Sequence, residues 1–216
     1  MFEIIITAFL LIFILWVFFS YNRIHEKFSR SVNMALFSID DPEDFIDHAG
    51  LSEIFRHLHR EKWNRFLFGD PYVAFEKVVR LSGVRYYIAI PKNCEKILEG
   101  RPGLLKVGNA GIPRDKFYSA AYLSHLPKRI NFDNPKVHED EGAVLQVLVR
   151  HLHWGENAIF ESNLEILTWA DSKKRAGKIL GLKSSKTAVF DFFHRIFENR
   201  KRVRISFKEL KEIFLN

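Results

Sequence analysis

Two histidines, His151 and His153, flank Leu152 at the end of an apolar run, AVLQVLVRHLHW. On a β-strand, residues two apart share a face, so this pair could hold one divalent ion between them. A metal there could polarise a scissile phosphate, the chemistry of a DNA nickase, if a tyrosine nucleophile stands nearby. Tyr118 and Tyr122, spaced as i and i+4 in YSAAY, are the candidate nucleophiles, and His138 in KVHEDEG is the candidate third ligand. The other reading makes the histidines the exit of a structural strand. It has in its favour that the apolar run precedes the pair and Trp154-Gly155 ends it.

The remaining chemistry-bearing stretches are weaker. His57 and His59 fall in LSEIFRHLHREKW, whose apolar spacing predicts a helix, and on a helix positions two apart diverge by about 200°, so they cannot share a metal. GKILGLKSS, residues 177–185, is glycine- and lysine-bearing, but a phosphate-binding loop needs the lysine directly after its second glycine. Here Leu182 intervenes, and the segment reads as a helix C-cap. No other stretch fits a nucleotide-binding loop, and no cofactor is implied. HEDEG at 138–142 reads as an exposed turn. Arg200, Lys201, Arg202, Arg204 and Lys208 crowd one short span near the C-terminus and are the nucleic-acid-binding candidates, with an anionic lipid as the other ligand that such charge would attract.

The elements that must position these residues begin with the first. From Ile4 to Asn22 the chain carries no charge, and at ~1.5 Å per residue this run spans ~28 Å, close to a ~30 Å hydrocarbon core. Glu3 is the one early charge, whereas Arg23, Lys27 and Arg30 follow the run. Positive charge stays inside, so the expectation is a single-pass anchor in the inner or plasma membrane, N-terminus out, with the rest in the cytoplasm. The net charge of +7 and the single cysteine, Cys94, suit contact with anionic partners and exclude an internal disulfide or a thiolate zinc site.

Beyond the anchor, residues 23–70 read as a helical juxtamembrane connector. Residues 71–135 form a first α+β unit: PYVAFEKVVRLSGVRYYIAIP predicts two strands turning at Ser82-Gly83, followed by a short helix with Asn93 as N-cap and Gly100 as stop. A loop-rich segment follows, with a short strand at Leu104–Val107 and a helix around Lys116–Leu126. Residues 136–185 form a second α+β unit: strand Val144–Arg150, strand 163–170, and a helix capped by Asp171 and Gly181. Residues 186–216 read as a basic helical tail. In it Val189, Phe193, Ile196 and Phe197 share a face, and Ser206 with Glu209 makes a capping box for a last helix. The predicted class is α+β, an N-terminal transmembrane helix followed by two small strand-strand-helix (ferredoxin-like) units.

The order of these pieces resembles the region ahead of the motor in membrane-anchored conjugative DNA-transfer ATPases of type IV secretion. The resemblance rests on FGDPYVAFEKVVRLSGVRYYIAIPKNCEKIL, EDEGAVLQVLVR, NLEILTWADSKKRAGKIL and ISFKELKEIFLN. Glu76, Pro91, Glu141, Gly142, Gln146, Arg150, Ala176, Glu209 and Leu210 fall at its matching positions. His151 stands where the family has a proline, residues 100–135 do not match, and the chain ends at EIFLN where the phosphate-binding motor should begin. The resemblance implies a non-catalytic, membrane-anchored interaction module. Its partner would be a motor ATPase or secretion-channel protein supplied in trans, with nucleic acid a further candidate partner and self-association left open. A metal-dependent nickase and a membrane-tethered nucleic-acid binder are the alternatives.

Overall fold

The computed structural model describes residues 2–32, 34–47, 50–58, 71–124, 137–153, 159–179, 181 and 185–215, without the side chains of 2–4, 22–32, 47, 50–52, 151–153 and 199. The chain runs through helix α1 (Phe2–Val32), strand β1 (Met34–Ile39) and helices α2 (Pro42–Asp47) and α3 (Gly50–Leu58). Strands β2 (Val73–Arg80) and β3 (Gly83–Pro91), a 3₁₀ turn (Lys92–Ile97), β4 (Leu104–Val107) and β5 (Phe117–Tyr122) follow. The long strands β6 (Gly142–His153) and β7 (Ile159–Ala170) lead to helices α4 (Lys173–Ile179) and α5 (Lys186–Phe193). A 3₁₀ turn (Asn199–Lys201), β8 (Val203–Ser206) and helix α6 (Phe207–Leu215) complete it.

The eight strands form one antiparallel sheet, in the order β4-β1-β3-β2-β6-β7-β5, with β8 also on β7. β7 is long enough to carry two short strands along one side: β5 against residues 165–170 and β8 against 159–162. In the first half, β1 and β2, joined through α2 and α3, run parallel with β3 inserted between them, a split β-α-β arrangement. The two expected units are not separate. They fuse where β2 meets β6, along a ladder from Val73↔Val149 to Arg80↔Gly142. The physical reason lies in those strands: nearly every residue of both is buried, so neither could serve as a solvated edge.

The faces alternate by the two-residue period of the strands. One face, with Phe37, Phe75, Ile88, Leu145 and Leu164, packs under α2, α3 and α6 through Ile46, Ile54, Phe55, Leu210 and Phe214. The other, with Val78, Tyr87, Val144, Leu148, Leu167 and Trp169, packs under α5 through Ala188 and Phe192. α1 is different. Its large apolar side chains from Ile5 to Tyr21 are exposed, Phe9 at 74% and Trp16 at 64%. That described stretch is about 25 Å long, and among the described residues no helix is long and apolar enough to cross a membrane.

Several local expectations change. The 23–70 connector contains β1, a six-residue apolar run too short for periodicity to classify. Where a helix is expected at 116–126, the chain forms strand β5 at Phe117–Tyr122, and residues 125 and 126 lie outside the described residues. A spacing of four puts two tyrosines on one face of a helix, but an even spacing does the same on a strand. Asn93 caps nothing: the segment after Pro91 is a 3₁₀ turn without a side-chain cap. Ser172, not Asp171, accepts from the backbone of α4 at Arg175, and Asp171 pairs with Lys116 instead. α5 stops at Phe193, so Ile196 and Phe197 lie beyond it, and Ala188 and Phe192 form its buried side. The tail is not all helical, because β8 joins the sheet.

The capping box is present. Ser206 N–H donates to Glu209 Oε2 at 2.7 Å, and Glu209 N–H donates to Ser206 Oγ at 3.2 Å. Those bonds hold the Glu209 carboxyl below the ordinary carboxylate value, so this cap stabilises above that value and fades as pH falls through the lowered one. Ser206→Ala is expected to cost about 1 kcal/mol, read as a lower denaturation midpoint with an unchanged slope.

Candidate functional site: a charged row across the sheet and an exposed basic edge

Uniformly apolar strands buried on both faces have no place for lone acids, yet Glu76 on β2 and Glu165 on β7 sit there. Glu76 is 1% exposed, Gln146 on β6 1% and Glu165 0%. Register aligns them: Tyr87 pairs Glu76, Glu76 pairs Gln146, Gln146 pairs Glu165, and Glu165 pairs Tyr122. Directly paired residues point to the same face at about 5 Å between Cβ atoms, so five polar side chains form one row beneath α5.

The row holds the chain that covers it. Gln146 Nε2 donates to Glu76 Oε1 at 2.9 Å and to the Phe192 carbonyl at 3.3 Å. Arg195, just past α5, donates from Nε to the same Glu76 oxygen at 2.7 Å. The Tyr72 hydroxyl donates to the Arg195 carbonyl at 2.6 Å. Arg195 takes a left-handed conformation, φ 49°, which costs a non-glycine residue about 1 kcal/mol; the ion pair and the Tyr72 bond offset it. Tyr122 donates to Asp191 on α5.

Glu165 is the unsatisfied member, since among the described residues neither of its carboxyl oxygens has a hydrogen-bond partner. Burial, and then the nearby Asp191, push its carboxyl well above the ordinary carboxylate range. A neutral carboxyl is a donor, and Gln146 Oε1, the unpaired acceptor on the opposite strand, is its natural partner. Burial, Glu165 once it ionises at high pH, and the bond to Asp191 raise the Tyr122 hydroxyl in turn.

The other positions behind the resemblance are also built into the fold. Arg175 on α4 donates to Glu141 at 2.6 and 2.8 Å, which holds that carboxyl below its ordinary range. Gly142 lies against the indole of Trp169, so close that a Cβ would fall 2.1 Å from the ring. Arg150 donates to Glu161 at 2.7 Å and stacks on Phe197 at 4.4 Å. Ala176 accepts from the Thr168 hydroxyl at 2.7 Å through its carbonyl.

The nickase constellation is not brought together. His151 and His153 are the last residues of β6, and a register shift separates them; their side chains lie outside the described residues. Tyr118 pairs Trp169, which pairs Gly142 at the opposite end of β6, about 30 Å from His151 at the rise of a strand. Tyr122, level with Gln146, is about 17 Å away on the same scale. His138 lies four residues before Gly142, at the far end with Tyr118. Tyr118 donates to the Pro113 carbonyl, and burial raises its hydroxyl. Among the described residues no group of histidine, cysteine or carboxylate side chains could hold a metal.

The basic candidates do gather. Arg200 and Lys201 lie on the second 3₁₀ turn, Arg202 and Arg204 flank and enter β8, and Lys208 opens α6; all are exposed. Arg202 reaches Glu161 at 3.2 Å and Lys208 reaches Glu212 at 3.9 Å. Among the described residues no ion pair holds Arg204, which stands opposite Glu161 in register.

The sequence reading missed the row as a unit, though it had a visible signal. Glu165 in NLEILTWA and Asp191 in VFDFF are single acids inside otherwise apolar runs, which a buried network explains better than a solvated face. Fold and row together define an α+β domain with one antiparallel sheet covered on both faces, attached to a long helix with an exposed apolar stretch. The chain matches no protein-family model, no curated protein and no solved structure.

Proposed function

We propose that this chain is a membrane-anchored, non-catalytic docking module for a DNA-transfer motor ATPase or secretion-channel protein supplied in trans. The observation that carries the anchoring is α1. Its described apolar side chains are exposed on every side of the helix, and an all-round apolar helix needs an apolar solvent. The described stretch falls a few ångströms short of a bilayer core, but α1 itself runs from Phe2 to Val32, and the uncharged sequence from Ile4 to Asn22 completes the span. Arg23, Lys27 and Arg30 keep the following domain on the cytoplasmic side. The partner reading draws on the resemblance to the pre-motor region of conjugative ATPases, whose matching positions build the sheet and its covering helices.

The test has two stages. The chain expressed in bacteria is expected to stay in the membrane fraction after alkaline extraction, while a chain lacking residues 1–22 is released. A DNA-transfer ATPase stripped of its own membrane region is then co-expressed. The expected result is that this motor is recovered in membranes only when the full chain is present. A motor that remains in the soluble fraction in both cases sinks the docking reading and leaves the anchor standing.

A further inference from the structure

The register of the sheet carries the exit point of α1 across to the basic edge. One row runs Leu36–Ala89–Ala74–Leu148–Asn163 through β1, β3, β2, β6 and β7. A step outward along each strand, toward the start of β1, reaches Ala35, Ile90, Val73, Val149 and Ser162, and Ser162 pairs Val203 on β8. One step further out lie Met34, which follows Val32 by two residues, and, across the sheet, Arg204. Lys92 follows Pro91, the register partner of Met34. Lys208 lies just beyond Ser206, where β8 leaves this end of the sheet. Lys92, Arg204 and Lys208 are all exposed. Twist turns neighbouring strands by about 20–25°, so the two outer strands swing about 50–60° to either side of the central ones, and both ends still face the same half-space.

The opposite end differs in charge. Beyond Ile39, and ahead of Gly142, it exposes Asp40, Asp41, Glu43, Asp44, Glu139 and Asp140. Arg85, Lys173 and Lys174 lie there too, so it is mixed, with acid in excess. At the α1 end, Glu161 is neutralised by Arg150 and Arg202, Glu209 is occupied in its cap, and exposed Glu212, on the next turn of α6, is paired by Lys208 at 3.9 Å.

We infer that Lys92, Arg204 and Lys208 form a surface that seats the domain on the anionic headgroups of the leaflet from which α1 emerges. This rests on α1 spanning the bilayer, as proposed above. Reach is adequate. From Arg23 to Val32, α1 extends about 15 Å. Headgroups take up about 6 Å of that, which leaves a gap of roughly one Debye length. Basic residues that close to an anionic leaflet are attracted to it, and the attraction fades over that distance. Arg204 lies about 24 Å across the sheet from Met34, five strand spacings away, so contact there needs the domain to lie down and does not follow from the tether alone.

The full chain is placed in lipid discs with a fluorophore on Glu212→Cys, beside Lys208, or on Ser82→Cys at the far turn, and with a quencher on the lipid headgroups. In discs containing phosphatidylglycerol the Glu212 site is expected to be quenched and the Ser82 site not. Phosphatidylcholine discs, high salt, or the pair Arg204→Glu and Lys208→Glu should each remove most of that quenching. Arg204→Gln with Lys208→Gln, which spares the fold a charge reversal, should reduce it less. Quenching at Glu212 that is the same in both lipids and in the variants overturns the inference. So does a single-stranded oligonucleotide that binds in phosphatidylcholine discs and is lost in the same variants while lipid leaves the signal unchanged, which would assign the edge to nucleic acid. A chain that does not stay with the discs at all refutes the anchor instead.

Discussion

Replacing Gly142 with alanine is expected to destabilise the domain by about 3 kcal/mol, the upper range for overpacking a core. The added Cβ would lie 2.1, 2.5 and 2.7 Å from three atoms of the Trp169 ring, well inside any real contact. Trp169 is 2% exposed among Val144, Leu167 and Phe192, and Arg80 lies over its ring at 5.6 Å, so it has nowhere to retreat. Alanine for glycine within a strand ordinarily gains about 0.5–1 kcal/mol from the unfolded chain, and here the steric term outweighs it. The check is a double-mutant cycle by denaturant unfolding. In a Trp169→Leu background the same Gly142→Ala change should become nearly neutral. An unchanged cost in that background would mean that something other than the ring sets the requirement for glycine.

Glu165→Gln is expected to be stabilising at neutral pH and close to neutral at the acid end. Burial and Asp191 hold the native Glu165 carboxyl well above 4.5, its ordinary value. Between 4.5 and the raised value, the unfolded chain releases this proton and the folded one keeps it. The folded state therefore binds more protons, and its stability falls as pH rises, by about 1.4 kcal/mol for each pH unit, until the raised value is reached. Glutamine keeps the donor toward Gln146 Oε1 and removes the titration. Glu141 and Glu209 act in the opposite sense: their carboxyls are lowered, so their contribution is present above the ordinary range and lost below it. The wild-type chain should thus be most stable near the top of the carboxylate range and decline on both sides, and the variant should lose only the alkaline decline. Unfolding midpoints measured at successive pH values decide it. Parallel curves for wild type and variant would mean that Glu165 is already ionised in the folded state, and the neutral link to Gln146 would have to be abandoned.

Both results concern the surface that α5 covers, which matters for docking. The row ties α5 down through Phe192, Asp191 and Arg195, and β8 and α6 follow directly in the chain. A basic edge carried by those last elements can seat on a leaflet only if they are held in register with β1 and the exit of α1. The buried row supplies part of that rigidity.

Much of this was written locally. The hairpin β2–β3, with Gly83 at φ 123°, was legible because alternating β-branched and aromatic residues on either side of a glycine turn leave few other solutions. So were β6, β7, the short β4 and the capping box of α6, each set by residues within a few positions of one another. α1 was legible as a helix from composition alone. What the sequence could not decide was anything resting on partners far along the chain. β1 and β5 are short runs that become strands only because β3 and β7 offer them edges. The histidines and tyrosines looked like one site in one dimension, and strand direction puts Tyr118 and His151 at opposite ends of the sheet. Glu76, Gln146 and Glu165 are 70 and 19 residues apart in sequence, and only the pairing of β2, β6 and β7 makes them neighbours. Local propensity acts over a turn or a strand, whereas register and burial are settled by how the whole sheet closes over its core.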